Sequence, residues 1–226
     1  MTLDENMKNR LKELVISNLH TCYDINHARL VQTAKTSTTE GEIRSAAGNL
    51  VETLLQNIFD TINQVLPSAN IQSKVGSTDF LSKSLTYKGQ TLHLDSIQVD
   101  RHVWANGKRI AFIENKTYLD SCYYDRALAD FRKIALSLHQ HGKDPATCKF
   151  IVFAGQNAGK DETLFNYEGE FWNETLHLTS SSSGITPITF FFLKGKRQSA
   201  RPWYKYKHEL NDQVVCNFVE LVLQIL

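Results

Sequence analysis

The stretch Leu94–Arg132, LDSIQVDRHVWANGKRIAFIENKTYLDSCYYDRALADFR, decides how the chain is read. Its first half is rich in Val, Ile, Trp and Phe, as strands are, and is broken by Asn106-Gly107, a dipeptide suited to the positive φ values of a tight hairpin turn. The pattern predicts extended runs over about 90–104 and 109–117, and a shorter one over about 83–87 ahead of a second turn signal, Lys88-Gly89. Beyond Lys116 the period changes from two to about 3.6. Asp120 or Ser121 caps a helix whose stripe is Leu128, Phe131, Ala135 and Leu138, and Gly142 stops it.

Strand alternation puts Glu114 and Lys116 on one face, about 7 Å apart. Which acid joins them from the partner strand depends on the turn. A three-residue loop closed by Gly107 brings Asp100 to that face, whereas a two-residue Asn-Gly turn shifts the register by one and brings Asp95. Asp100 is preferred, because Asp95 would stand opposite Tyr118, beyond the Glu–Lys pair. Two carboxylates and an ammonium suit metal-assisted phosphodiester hydrolysis. Carboxylate and carbonyl oxygens bind a hard cation such as Mg²⁺, which lowers the pKa of its water and steadies the leaving oxygen. A lysine orients the attacking water or, if its pKa is depressed, deprotonates it.

Upstream, Thr39 and Glu42 have the spacing of a capping box, opening a helix with the buried stripe Ile43, Ala47, Leu50, Val51, Leu54, Ile58, Ile62 and Val65. Pro67 ends it. The first 20 residues form another helix on Leu11, Leu14, Val15 and Leu19, and residues 21–37 are less periodic. Downstream, Lys149–Ala154 reads as a central strand, the stretch to Trp172 as irregular, and Thr179–Gly184 as a loop. Ile188–Leu193 is a further strand, and a last helix carries Leu210, Val214, Phe218, Leu221 and Val222. The whole, 1–226, is one α/β or α+β domain with a mixed sheet and helical additions at both ends.

The order of these parts resembles the PD-(D/E)xK nuclease superfamily: a helix with Gly48-x-x-x-Glu52, a hairpin with Asp100, then Glu114-x-Lys116, a helix and a strand. Glu114-Asn115-Lys116 is the only acid-x-lysine triplet in the chain. The resemblance spans about residues 44–154 and implies a restriction-endonuclease-like αβββαβ core. It further implies Asp100 and Glu114 as metal ligands with the carbonyl of Asn115, Lys116 as the catalytic lysine, and Glu52 as an acid supporting the metal or its waters. Val99 departs from the family pattern, standing where many relatives have proline.

Composition bounds the rest. The 226 residues are 42% hydrophobic with a formal net charge of +1, enough apolar content for a packed core. No run of about 18 apolar residues exists, which excludes a membrane-spanning helix. MTLDENMKNR does not read as a secretory signal, and four scattered cysteines make neither a zinc module nor a disulfide framework. A cytoplasmic protein is expected. The near-zero charge conceals an uneven distribution: from Thr175 to His208 there is no acid, but there are Lys194, Lys196, Arg197, Arg201, Lys205 and Lys207. Without these six the chain has 19 bases against 24 acids. This basic, aromatic segment, about 188–208, is the expected phosphate-contacting surface, and Arg101, His102, Arg109, Tyr118 and Arg126 are further candidates for reading bases. AGQNAGKD (Ala154–Asp161) echoes a phosphate loop but lacks its first glycine and its Ser/Thr, so no nucleotide cofactor is expected. The expected activity is that of a Mg²⁺-dependent type II restriction endonuclease acting on double-stranded DNA as a homodimer. Another nuclease of the superfamily, or a DNA-binding protein without catalysis, is the alternative.

Overall fold

Asp4 starts the first helix by accepting a hydrogen bond from the Met7 amide at 2.7 Å, and α1 then runs without interruption over Glu5–Thr36. The computed structural model describes residues 3–77, 83–94, 98–175, 188–195 and 207–226. The weakly periodic residues 21–37 belong to the same helix up to Thr36. Their buried side chains are Tyr23, His27 and Leu30, an aromatic, polar and aliphatic mixture that an aliphatic stripe does not reveal. Leu14 leaves the expected stripe and is exposed, while Val15 takes the core position.

Helix α2 (Glu40–Val65) is capped by Thr39, whose hydroxyl accepts from the Glu42 amide at 3.4 Å. Only half of the capping box forms. The Thr39 amide donates to the Ser37 hydroxyl oxygen at 3.2 Å, and the Glu42 carboxylate takes the Ser37 hydroxyl proton instead. Leu50, Val51, Leu54, Leu55, Ile58, Phe59 and Ile62 form its buried side, and the helix stops before Pro67.

Five strands make a mixed sheet: β1 (Ile71–Ser77), β4 (Gln98–Ala105), β5 (Lys108–Leu119), β6 (Lys149–Asn157) and β7 (Thr189–Phe192), in the order β1-β4-β5-β6-β7. β1, β4 and β5 pair antiparallel, and β5, β6 and β7 pair parallel. β2 (Lys83–Tyr87) and β3 (Gln90–Leu94) form a separate two-stranded ribbon, so the run expected over 90–104 is two strands in two sheets. Helix α3 (Ser121–Gln140) joins β5 to β6, and Asp120 accepts from the Tyr123 amide as its cap. Helix α4 (Asp161–Thr175) replaces the irregular stretch expected up to Trp172, and α5 (Asp212–Ile225) ends the chain. Neither β1 nor α4 was expected. β1 lacks apolar alternation (IQSKVGS), and α4 contains a glycine and leaves Phe165 exposed.

Helices pack on both faces of the sheet. Side chains of α1, α2 and α5 meet Val103, Ala111, Ile113, Ile151 and Phe153 in one apolar layer; α3 meets Phe112, Phe150, Val152 and Ala154 in the other. The alternation of β6 between the layers explains why KFIVFA is apolar at nearly every position. No helix among the described residues is long and apolar enough to cross a membrane.

Gly155 is required where β6 passes β5. A Cβ there would lie 2.4 Å from the Thr117 carbonyl oxygen, a backbone atom that cannot swing aside. Gly155→Ala should therefore destabilise the fold by about 2–3 kcal/mol, read as a lower urea midpoint. An unchanged midpoint would show that the strands can separate freely.

Candidate active site

The hairpin joining β4 and β5 turns through Asn106 (φ 51°) and Gly107 (φ 75°), with Ala105 paired to Lys108 and Trp104 to Arg109. This is the two-residue turn, whose twist matches that of the strands. Taken alone it would have brought Asp95 to the face of Glu114. A bulge reverses that outcome: the next pairs are Val103–Ala111, His102–Phe112 and Arg101–Ile113, so Ile110 is an extra residue in β5. The register moves by one and Asp100 comes opposite Glu114. Ile110 and Ala111, adjacent in sequence, are both buried in the same apolar layer, which is what holds the bulge in place. Asp95 lies outside the described residues.

A second irregularity falls on Asp100 itself. Against β1, Lys74 pairs with His102 and Gly76 with Val99, so Asp100 and Arg101 together face Val75. Val99 and Val103 would share a face of an uninterrupted strand, but they lie in different apolar layers. Bulges of this kind re-aim side chains.

The result is a cluster of three. The Lys116 ammonium donates to Asp100 Oδ2 at 3.0 Å and to Glu114 Oε2 at 2.6 Å, and the Asn115 amide donates to the same Asp100 oxygen at 2.8 Å. Glu114 is almost wholly buried (side chain 6% exposed), whereas Asp100 opens toward solvent (35%). Burial pushes the Glu114 carboxyl up to about 7; Lys116 pulls it back and Asp100 adds to the rise. Burial alone would lower the Lys116 ammonium, but Glu114 and Asp100 outweigh it and hold the group above its ordinary value. Lys116 in this arrangement is a held cation, not a lysine with the depressed pKa that a general base requires.

These residues suit a hard divalent cation by their donor chemistry. Two carboxylate oxygens already converge on one positive charge, and the backbone of Asn115 runs beside them. Asp100, Glu114 and the Asn115 carbonyl would hold such an ion. Among the described residues, no group of three or more His, Cys, Asp and Glu side chains gathers to bind a metal. Among the described residues, the buried side-chain amide of Asn115 finds no hydrogen-bond partner at either terminal atom.

Glu52 is placed differently. Its carboxylate accepts from Arg101 at 3.1 Å, and both residues line an open cleft of about 520 Å³ with Cys22, Asn49, Gln56 and Asp60. Asp100, Glu114 and Lys116 contribute nothing to its walls. Pairing with Arg101 is the role of Glu52 visible in the structure.

Of the basic segment's six cations, Lys194 and Lys207 lie among the described residues. Lys194 is half-buried with its ammonium 4.2 Å from the centroid of the Tyr23 ring, and burial lowers its pKa to about 7. Lys207 pairs with Asp24 at 2.8 Å on the surface. Both described cations thus dock on neighbouring residues of α1. Lys196, Arg197, Arg201 and Lys205 lie outside the described residues. Two of the further candidates are built into the fold: His102 is buried against Phe112 and Trp104, and the Arg109 guanidinium lies 4.8 Å from the Trp104 ring centroid. AGQNAGKD forms the end of β6 and the step into α4, and its Gly155 serves strand packing.

The rise of Glu114 has a sign that can be tested. A carboxyl near its usual value in the unfolded chain and at about 7 in the fold makes the native state hold the extra proton between those limits. Stability then falls as pH rises from about 5 to about 8. Glu114→Gln should flatten this dependence in metal-free buffer. Urea melts at several pH values measure it, and an unchanged slope in the variant would refute the elevated carboxyl.

Compared with models of known protein families the chain matches none, and comparison with the curated proteins likewise finds no match.

Proposed function

We propose that the protein is a Mg²⁺-dependent endonuclease of the PD-(D/E)xK kind that cuts double-stranded DNA at a palindromic site. The observation that carries this reading is the Lys116 ammonium bridging Asp100 and Glu114 across two strands. The order α2–β1–β4–β5–α3–β6 supports it, because it has the αβββαβ sequence of that core with the β2–β3 ribbon inserted after the first strand.

Asp100 and Glu114 present hard oxygen donors at the rim of a buried sheet, where water competes poorly for a cation. When bound there, Mg²⁺ polarises the phosphate and makes its water a better nucleophile at neutral pH. Lys116, kept protonated by its neighbours, sets a positive charge where the phosphorane charge develops and orients the attacking water. The amide of Asn115 holds Asp100 by its Oδ2, leaving Oδ1 for a ligand. On the α2 side Arg101 offsets the charge of Glu52. One site per chain and two antiparallel strands to cut favour a two-fold homodimer, each copy hydrolysing one strand.

Purified protein incubated with a large DNA and Mg²⁺ should give discrete fragments whose sequenced ends share one palindrome. A smear or structure-dependent nicks would point to another nuclease of the superfamily, and no cleavage with Mg²⁺ or Mn²⁺ would favour a non-catalytic binder. Lys116→Ala and Glu114→Ala should each lower the cleavage rate by about a thousandfold or more while retaining much of the metal-independent duplex binding. Wild-type rates in either variant would sink the active-site assignment.

A further inference from the structure

We infer that the β2–β3 ribbon is the element that enters the major groove of the duplex and reads its base edges, an inference that rests on the nuclease reading above. The ribbon stands outside the central sheet. Its chain leaves β1 at Ser77 and returns to β4 at Gln98, and these two residues are themselves paired. Three residues separate Leu94 from Gln98, so their Cα atoms are at most about 14 Å apart. Asp100 follows on the same strand as Gln98. The base of the ribbon is thereby tethered within about 20 Å of the carboxylate that would face the scissile phosphate.

Nothing in the described fold explains the ribbon as core. Its strands pair with each other over Lys83–Leu94 to Tyr87–Gln90, and neither packs broadly on another described element. A two-stranded hairpin alone is marginal in water. Such an insertion persists to advantage when a partner surface covers it.

Chemistry says which surface. Between Asp79 and Asp95 the chain has no acidic residue, and the ribbon carries Lys83, Ser84, Thr86, Tyr87, Lys88, Gln90, Thr91 and His93. That is an acid-free set of hydrogen-bonding residues with two lysines, complementary to a polyanion and to the donors and acceptors of base edges. Dimensions agree. Five residues per strand span about 17 Å, and a groove about 12 Å wide admits a two-stranded ribbon. Lys88 (φ 50°) and Gly89 (φ 76°) close the tip in a tight two-residue turn, which keeps the leading end narrow. The described ends of the basic segment, Lys194 and Lys207, are meanwhile engaged on α1.

The test uses the full-length protein and a duplex carrying the site mapped from wild-type cleavage ends, against a scrambled duplex of equal length. In the first variant Gly-Ser-Gly replaces residues 83–94. It should melt within a few degrees of the wild type yet lose about a hundredfold or more of its preference for the site duplex in Ca²⁺. In the second, p-benzoylphenylalanine replaces Gln90 and should photocrosslink to a base within the site. Equal preference in the shortened protein, or no crosslink to the duplex, would overturn the ribbon assignment while wild-type cleavage leaves the nuclease reading standing. A wild-type protein that cuts no duplex with Mg²⁺ or Mn²⁺ would overturn both. Should the shortened chain fail to fold, the crosslink decides alone.

Discussion

The bridge from Lys116 to Asp100 and Glu114 is the constraint on which the rest of the structure turns. A carboxylate as buried as Glu114 is tolerable only beside a positive charge, and the two carboxylates that face Lys116 outweigh the burial that disfavours its charge. Each group is unfavourable in that position by itself. The cluster therefore depends on β4 and β5 being held in one register, since a slip of a single residue would send Asp100 to the opposite face.

Two apolar layers supply that register. Residues of β5 alternate between the α1/α2/α5 layer and the α3 layer, and the parallel strand β6 backs it along its length. Gly155 lets β6 approach Thr117 closely. The bulge at Ile110 is stabilised by burial of two consecutive side chains, and its consequence is electrostatic: it delivers Asp100 to Lys116. Packing energy, a non-directional quantity, here positions groups whose chemistry is strictly directional.

Charge is distributed with the same economy. Glu52 and Arg101 neutralise each other at the cleft beside α2, and Lys194 and Lys207 hold the two described ends of the basic segment to Tyr23 and Asp24 of α1. The exposed Lys207–Asp24 pair adds little stability. Its importance is positional, because it ties residues distant in sequence to the helix that packs on α2 and α5. The chain's overall +1 says nothing of this arrangement.

Much of the fold was readable from residue pattern. The α2 stripe, its end at Pro67, the Asn106-Gly107 hairpin, the Asp120 cap and the apolar run of β6 all express local preferences that tertiary context reinforced. Elements without a strong pattern, such as β1 and α4, were not legible, because pairing and docking by neighbours define them. Among site residues, the convergence of Asp100, Glu114 and Lys116 was anticipated, but by a different turn from the one that forms. Local sequence dictated the two-residue turn; only packing of Ile110 and Ala111 together in the core introduced the compensating bulge. Glu52 shows the same division. Its place on a helix face follows from periodicity, whereas its bond to Arg101 exists because a bulge in β4 and the seating of α2 bring residues 49 positions apart into contact. Short-range sterics and capping are written residue by residue, but register and the pairing of charges belong to the assembled layers.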